Sequence, residues 1–332
     1  MLRFPVRFLR SHKLLSTRLC YSQHSEASDV FKKYPSASSF ANVTSDANNS
    51  QQTQQTTESN TKDSNNTQSE THFGYKTVPE HEKQKMVHEV FRNVADKYDL
   101  MNDLMSGTMH RIWKDQMIGD HYRPQIGGTY LDVAGGTGDV AFRIAEYLKR
   151  QHLNAPNSGL TSRVIVSDIN ANMLEVGRQK SIELNLHKWE HHGVKLDWLE
   201  GNAEDLSETI PDRSIDGYTI AFGIRNVTHI DKAIKEAHRV LKPGGQFLCL
   251  EFSQVYPIAL RQFYDWYSFN IIPKIGQVVA NDHDSYQYLV ESIRQFPPQE
   301  RFKQMIQDAG FKNVRYTSLT FGVVALHSGI KL

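Results

Sequence analysis

The sequence predicts an α/β fold: a mainly parallel, seven-stranded sheet with an antiparallel C-terminal hairpin edge. Three observations carry this. Five short apolar runs between Thr129 and Phe252 are separated by helix-length segments, the pattern of βαβ units. Two further runs near the C-terminus, 312–319 and 321–327, are joined by a residue or two, which permits only an antiparallel return. The first run ends in a glycine-rich turn, "LDVAGGTGD", that opens a helix at Asp139.

The elements follow in order. The first 23 residues, "MLRFPVRFLRSHKLLSTRLCYSQ", carry Arg3, Arg7, Arg10, Lys13 and Arg18, and no acidic residue precedes Glu26. Leu and Phe alternate with the cations, so a helix here is basic and amphipathic. That is the composition of a mitochondrial transit peptide, assigned to 1–25; a basic tail for a membrane or nucleic acid is the alternative. From Asn48 to Ser69, 19 of 22 residues are Asn, Gln, Ser or Thr. Such a stretch cannot bury enough apolar surface to offset its conformational entropy, so 26–72 reads as a disordered linker and 73–332 as one folded domain. Only two cysteines occur, Cys20 and Cys249, which excludes a disulfide framework and a cysteine-based zinc site. His187 and His191 have i, i+4 spacing but no third ligand, and no metal is expected. The net charge of +1 is neutral on polyanionic partners, and no nucleic acid is expected. No apolar run approaches the ~18 residues of a membrane span.

In an open parallel sheet, ligands bind at the carboxyl ends of the strands, so the strand ends are the informative positions. The first, "TYLDVA" (129–134), leads into Gly135, Gly136, Thr137 and Gly138. The crowded A-G-G-T-G spacing departs from the dinucleotide pattern, and Asp132 and Asp139 flank it. Those carboxylates would repel a pyrophosphate and suit an ammonium or sulfonium group. The second strand (163–168) ends at Asp168, placed to accept ribose hydroxyls or to cap the next helix. The third (194–201) ends "EGNAED", where Asn202 offers polar contacts and Ala203 a small apolar surface to an adenine edge. Together these ends describe a pocket for an adenosine with a cationic tail, which S-adenosylmethionine fits. The fourth strand (215–222) opens into "FGIRNV", which sets Arg225 and Asn226 on the same edge. The fifth (246–252) follows the turn "LKPGG".

The segments "YDLMNDLMSGTMHRIW" (98–113) and "RVLKPGGQFLCLEFS" (239–253) resemble the two signatures of the ubiquinone/menaquinone biosynthesis C-methyltransferases. "LDVAGGTGD", "GNAE", "FGIRNV", "YQYLVESIRQFPPQERF" and "AGFKNVRY" match the same family in the same order, over about 73–332. The resemblance implies a class I, Rossmann-like, S-adenosylmethionine-dependent methyltransferase. It implies cofactor contacts at Thr137, Asp168, Asn202 and Ala203, beside Asp132, Gly135 and Gly138 of the glycine turn. The family commonly places a serine where Ala221 stands here, so a hydroxyl contact is lost and a backbone contact is the most expected. With the basic N-terminus, the implied reaction is C-methylation of a polyprenyl methoxy-benzoquinol in ubiquinone synthesis. Naphthoquinol methylation for menaquinone, or a mainly structural part in a quinone-synthesis complex, are the alternatives. The implied setting is the mitochondrial matrix, with peripheral contact to the inner membrane, a multi-enzyme complex and a homodimer.

Methyl transfer to carbon needs a ring made electron-rich by a hydroquinone oxygen, so the site must stabilise a phenolate-like oxygen. Arg225 is expected to supply the charge or polarise a water, since a guanidinium cannot act as a base. Asn226 is expected to orient that water or the ring oxygen. Tyr98 opens a segment placed to fold over the pocket as a lid, where its hydroxyl is expected to reach the cofactor or substrate as a catalytic group, with ordinary packing the alternative. His110 and Trp113, at i, i+3 spacing, read as a packing pair or as catalytic residues, and His283 as a reserve base. Six aromatics in 256–270 (Tyr256, Phe263, Tyr264, Trp266, Tyr267, Phe269) suit either a channel for the quinol and its tail, within a substrate insertion at 255–285, or a packed helix.

Overall fold

A computed structural model describes residues 69–94, 102–103, 106–280 and 282–332. The transit-peptide segment 1–25, nearly all of the 26–72 linker, and Tyr98 lie outside the described residues.

The first elements are a two-stranded antiparallel ribbon, β1 (Glu70–Phe73) and β2 (Lys76–Pro79), and helix α1 (Glu80–Val94). Strand β1 begins inside the segment expected to be linker, because Thr71, His72 and Phe73 pair with Val78, Thr77 and Lys76. Helix α2 (Met109–Gln116) runs into a single π turn at Met117–Tyr122. Next come β3 (Thr129–Val133), α3 (Asp139–Asn154), β4 (Ser162–Asp168), α4 (Ala171–Glu183), β5 (Val194–Glu200), β6 (Ile215–Ala221), α5 (Ile230–Val240) and β7 (Leu241–Phe252). The chain ends with α6 (Ile258–Asn270), α7 (Ile272–Ala280), α8 (His283–Gln295), α9 (Gln299–Asp308), β8 (Lys312–Leu319) and β9 (Val324–Ile330).

The seven-stranded sheet has the order β5-β4-β3-β6-β7-β9-β8. The first five strands are parallel; β9 runs antiparallel to both β7 and β8. Two strand starts differ by more than one residue from the expectation. Strand β7 starts at Leu241 because Leu241 pairs with Ile215 ahead of the Lys242–Gly245 turn. Strand β9 starts three residues late, because Thr320–Gly322 form a 3-10 turn.

The apolar runs are continuous because both faces of the sheet are covered. Tyr130, Val164, Val166, Leu248 and Leu250 face one core with Ile144 and Leu148 of α3. Their neighbours Leu131, Ile165, Phe247 and Cys249 face a second core with Ile234 and Ala237 of α5 and Phe302 of α9. A period of two between two buried layers leaves no polar face, which is how a central parallel strand is recognised. Strand order reverses between β4 and β6 on either side of β3, so the crevice opens where the turns after β3 and β6 meet.

Candidate active site

The turn after β3 is held by its own backbone. Gly135 N–H donates to Ser167 O (3.1 Å), and Gly138 N–H to Gly135 O (2.9 Å). Gly138 sits at φ 85°, where an added Cβ would lie 2.9 Å from the rings of Phe142 and Trp198. No other residue combines that left-handed φ with that space. The turn after β6 presses on it from the side: a Cβ at Gly223 would lie 2.4 Å from Cβ of Ala134. Two strand-end loops thus close on one another with only the Ala134 methyl between them.

The cavity they bound holds about 1,110 Å³ of space open to solvent. Its walls include Asp132, Gly135, Thr137, Asp168, Asn202, Ala203, Ala221 and Asn226, so the strand-end reading is brought together in one place. Gly138 shapes the turn without lining the cavity. The lining carboxylates are Asp132, Asp139, Asp168 and Glu204, against a single lysine, Lys114. That imbalance disfavours a pyrophosphate and favours a cationic ligand.

Each carboxylate is held differently. Asp168 Oδ2 accepts from Gly136 N–H and Oδ1 from Asn170 N–H, both at 2.9 Å, while burial raises its pKa. The helix-capping role considered for Asp168 belongs to Asn170, whose Oδ1 accepts from the amides of Asn172 and Met173. Asp132 is buried under the turn, accepting from Thr219 Oγ1 (2.8 Å) and Ala141 N–H (3.2 Å); burial pushes its pKa up to about 7. Asp139 is half-buried, and Arg143 and Lys114 outweigh its desolvation and hold its pKa well below the carboxylate range. Lys114 Nζ lies 2.7 Å from Asp139 Oδ2.

Arg225 does not stand where expected. It is absent from the cavity lining, and its side chain is 4% exposed. Nη1 lies 2.9 Å from Glu251 Oε1 and also donates to Phe222 O; the guanidinium carbon stands 5.5 Å over the Phe252 ring. Burial raises the Glu251 pKa, and Arg225 opposes the rise. A carboxylate inside the sheet needs a cation more than the cavity rim does, and β7 lies next to β6, so the guanidinium turns inward. Arg225 therefore staples the Phe222–Asn226 loop from behind, and Asn226 alone of the pair reaches the cavity.

Other candidates stand outside the cavity lining. His110 Nε2 lies 2.8 Å from Asp103 Oδ1, and burial lowers its pKa to about 4. Trp113 donates to Thr320 Oγ1 at 2.8 Å. His283 is exposed beside Asp284, away from the cavity. His187 and His191 lie in a 3-10 helix, whose pitch does not stack residues four apart, and no metal-ligand cluster occurs among the described residues. None of the six aromatics of 256–270 lines the cavity; Tyr256, Phe263 and Trp266 are more than half exposed, and Tyr264 packs against Arg294.

Among the lining residues that the strand-end reading missed, four come from the N-terminal helices. Gln84, Val87 and His88 come from α1, which covers the cavity, and Lys114 comes from α2. Helix α1 is tied down by Lys83 Nζ donating to Val227 O (3.2 Å), and by Glu80 and Glu204 flanking His229 at 3.3 and 2.6 Å. Lys114 was legible in principle, since it falls four residues after His110 on the same face of "MHRIWK".

Comparison with known proteins adds a second line. The model of the ubiE/COQ5 methyltransferase family matches residues 78–331. The chain is 54% identical over 267 residues to a mitochondrial 2-methoxy-6-polyprenyl-1,4-benzoquinol methylase of Arabidopsis thaliana, covering 79% of this chain and 90% of that protein. Proteins of the same name from Homo sapiens (52%, covering 79% and 85%) and Dictyostelium discoideum (50%, covering 84% and 92%) are similarly close.

Proposed function

The chain belongs to the ubiE/COQ5 methyltransferase family, and from that premise we propose that it transfers a methyl group from S-adenosylmethionine to a ring carbon of a polyprenyl methoxy-benzoquinol in ubiquinone synthesis. The observation that carries the reading is the carboxylate-rich, glycine-walled cavity between β3 and β6, with Asn226 on its rim. The names of the relatives favour the benzoquinol over a naphthoquinol.

The cradle fits the cofactor. Asp168 would take the ribose hydroxyls, with Asn202 and Ala203 at the adenine. The ion pair of Lys114 and Asp139 would serve as a template for the amino-acid end, the lysine taking its carboxylate and the aspartate its ammonium. When bound, the cofactor supplies an electrophilic methyl on a sulfonium.

The chain's own residues do the rest. The turn after β6 fixes the ring beside that methyl, which removes much of the entropic barrier to an in-line displacement. Asn226 N–H groups stabilise negative charge gathering on the quinol oxygen as its proton leaves to water, and the C–H proton of the methylated carbon then leaves to water as the oxygen takes a proton back and the ring regains aromaticity. Phe222 and Val227 supply apolar wall around the ring and exclude bulk water.

A mitochondrial location follows from the arginine-rich N-terminus and the names of the relatives. No helix among the described residues is long and apolar enough to cross a membrane. We extend the proposal to the matrix side, to peripheral contact with the inner membrane, and to a multi-enzyme assembly with a homodimeric subunit. Support for a lipid or protein contact is the solvent-facing apolar set Tyr256, Ile258, Phe263, Trp266 and Phe321.

The test is methyl transfer from radiolabelled S-adenosylmethionine to a farnesyl-tailed 2-methoxy-1,4-benzoquinol. Label should appear on ring carbon. Cofactor binding without any transfer would sink the enzyme reading.

A further inference from the structure

Tyr288, on α8 and far from the cavity motifs in sequence, donates its phenolic O–H to Asn226 Oδ1 at 2.9 Å. Its ring is 6% exposed and stacked on Phe73 of β1, with centroids 4.1 Å apart and planes 15° apart. The phenol is therefore fixed from a direction independent of the β6 loop. Asn226 Oδ1 is the acceptor that this hydroxyl meets among the described residues. Turning the carboxamide over would bring its NH₂ to the phenol and leave a buried O–H proton without an acceptor. Burial holds the Tyr288 pKa well above its ordinary value, so the phenol keeps its proton throughout the working range.

The backbone beneath is equally constrained. Asn226 N–H donates to Gly223 O at 3.0 Å, and the Arg225 staple to Glu251 and Phe222 O holds the turn. With the main-chain N–H and side-chain oxygen both tied, the remaining freedom of Asn226 is small, and its two Nδ2–H donors are the side-chain polar groups left for the cavity it lines.

We propose that Tyr288 is a positioning residue for methyl transfer: by occupying the Asn226 carbonyl oxygen it sets the carboxamide so that N–H donors, not a lone pair, face the quinol oxygen. A free carboxamide would spend part of its time presenting Oδ1, which repels a developing phenolate. This rests on the proposed reaction and specifies which atoms of the loop serve it.

The experiment compares Tyr288→Phe, Asn226→Ala and the double variant in single-turnover methylation of the farnesyl-tailed quinol, with cofactor Kd measured alongside. Phenylalanine keeps the stacking on Phe73 and removes only the hydroxyl. Tyr288→Phe should lower the rate about tenfold, the equivalent of one oriented hydrogen bond, with cofactor Kd unchanged. In the Asn226→Ala background the same change should cost less than twofold, because no carboxamide remains to be oriented. Equal losses in the two backgrounds, a Kd that weakens in step with the rate, or full activity of either single variant overturns the proposal. Failure of the wild-type protein to methylate the quinol would instead overturn the reaction assignment.

Discussion

Replacing Arg225 by methionine separates a stapling guanidinium from one that faces the substrate. Arg225 and Glu251 side chains are 4% and 1% exposed and pair at 2.9 Å. Methionine retains much of the apolar stem that packs near Phe252 but leaves Glu251 charged and alone in the sheet. Breaking one side of a buried pair costs roughly 3–5 kcal/mol. For a domain of this size each kcal/mol lowers the melting temperature by about 2–4 °C, so a fall on the order of 10 °C is expected. The loss should depend on pH in a defined sense. The folded-state pKa of Glu251 is already raised by burial, and without the arginine it rises further. A raised carboxyl is neutral in the fold at low pH, so the penalty of Arg225→Met fades on acidification and grows as pH rises. Adding Glu251→Gln, which removes the orphaned charge, should recover most of the lost stability. Urea and thermal unfolding of the wild type, the single variants and the pair, at several pH values, give the answer. A stability loss under about 1 kcal/mol for Arg225→Met, coupled with lost turnover, would return the guanidinium to direct contact with substrate.

Gly138→Ala must place a Cβ at φ 85° and 2.9 Å from Phe142 and Trp198; a loss of about 2 kcal/mol and at least tenfold weaker cofactor binding are expected by calorimetry. Lys114→Met leaves Asp139 paired with Arg143 but removes the cation proposed to meet the cofactor's carboxylate, so cofactor Kd should rise about tenfold while saturated turnover falls little. His110 and His327 are buried, and burial lowers each pKa from 6.5 to about 4. Because these folded pKa values are depressed, stability is full above pH 6.5 and is lost as pH falls toward 4. The upper limit is about 3 kcal/mol each, and His327→Gln should flatten that part of the stability–pH curve.

Much of this site could be read along the chain. A central parallel strand buried on both faces must be apolar throughout, so polar residues appear where it ends, and its end is where ligands bind. Asp168, Asn202, Thr137 and Asn226 were legible for that reason. The 3-10 turn at Thr320 was not, because it depends on Phe321 and Thr320 adopting positive φ, which neither side chain prefers. The aromatic run at 256–270 misled because composition states only that a helix is greasy. Which of its faces meets the cavity depends on docking, and its exposed aromatics turn away.

The layered sheet, the order of the ligand-facing turns and the charge of the cavity are written along the chain, since these follow from periodicity and from residues adjacent in it. Where Arg225 points, what fixes Asn226 and which helix covers the pocket emerge only when distant segments pack together. Each depends on a partner far away in sequence: Glu251 across a strand pair, Tyr288 on α8, and His229 and Val227 beneath α1. The glutamate in "QFLCLEF" was a signal, because a carboxylate within an apolar strand requires a nearby cation. Naming that cation took the β6–β7 register, which sets Ala221 opposite Leu250 and so brings the two strand ends together. Desolvation then does what local sequence cannot: it makes the buried carboxylate, and not the solvent-facing rim, the stronger claim on the guanidinium.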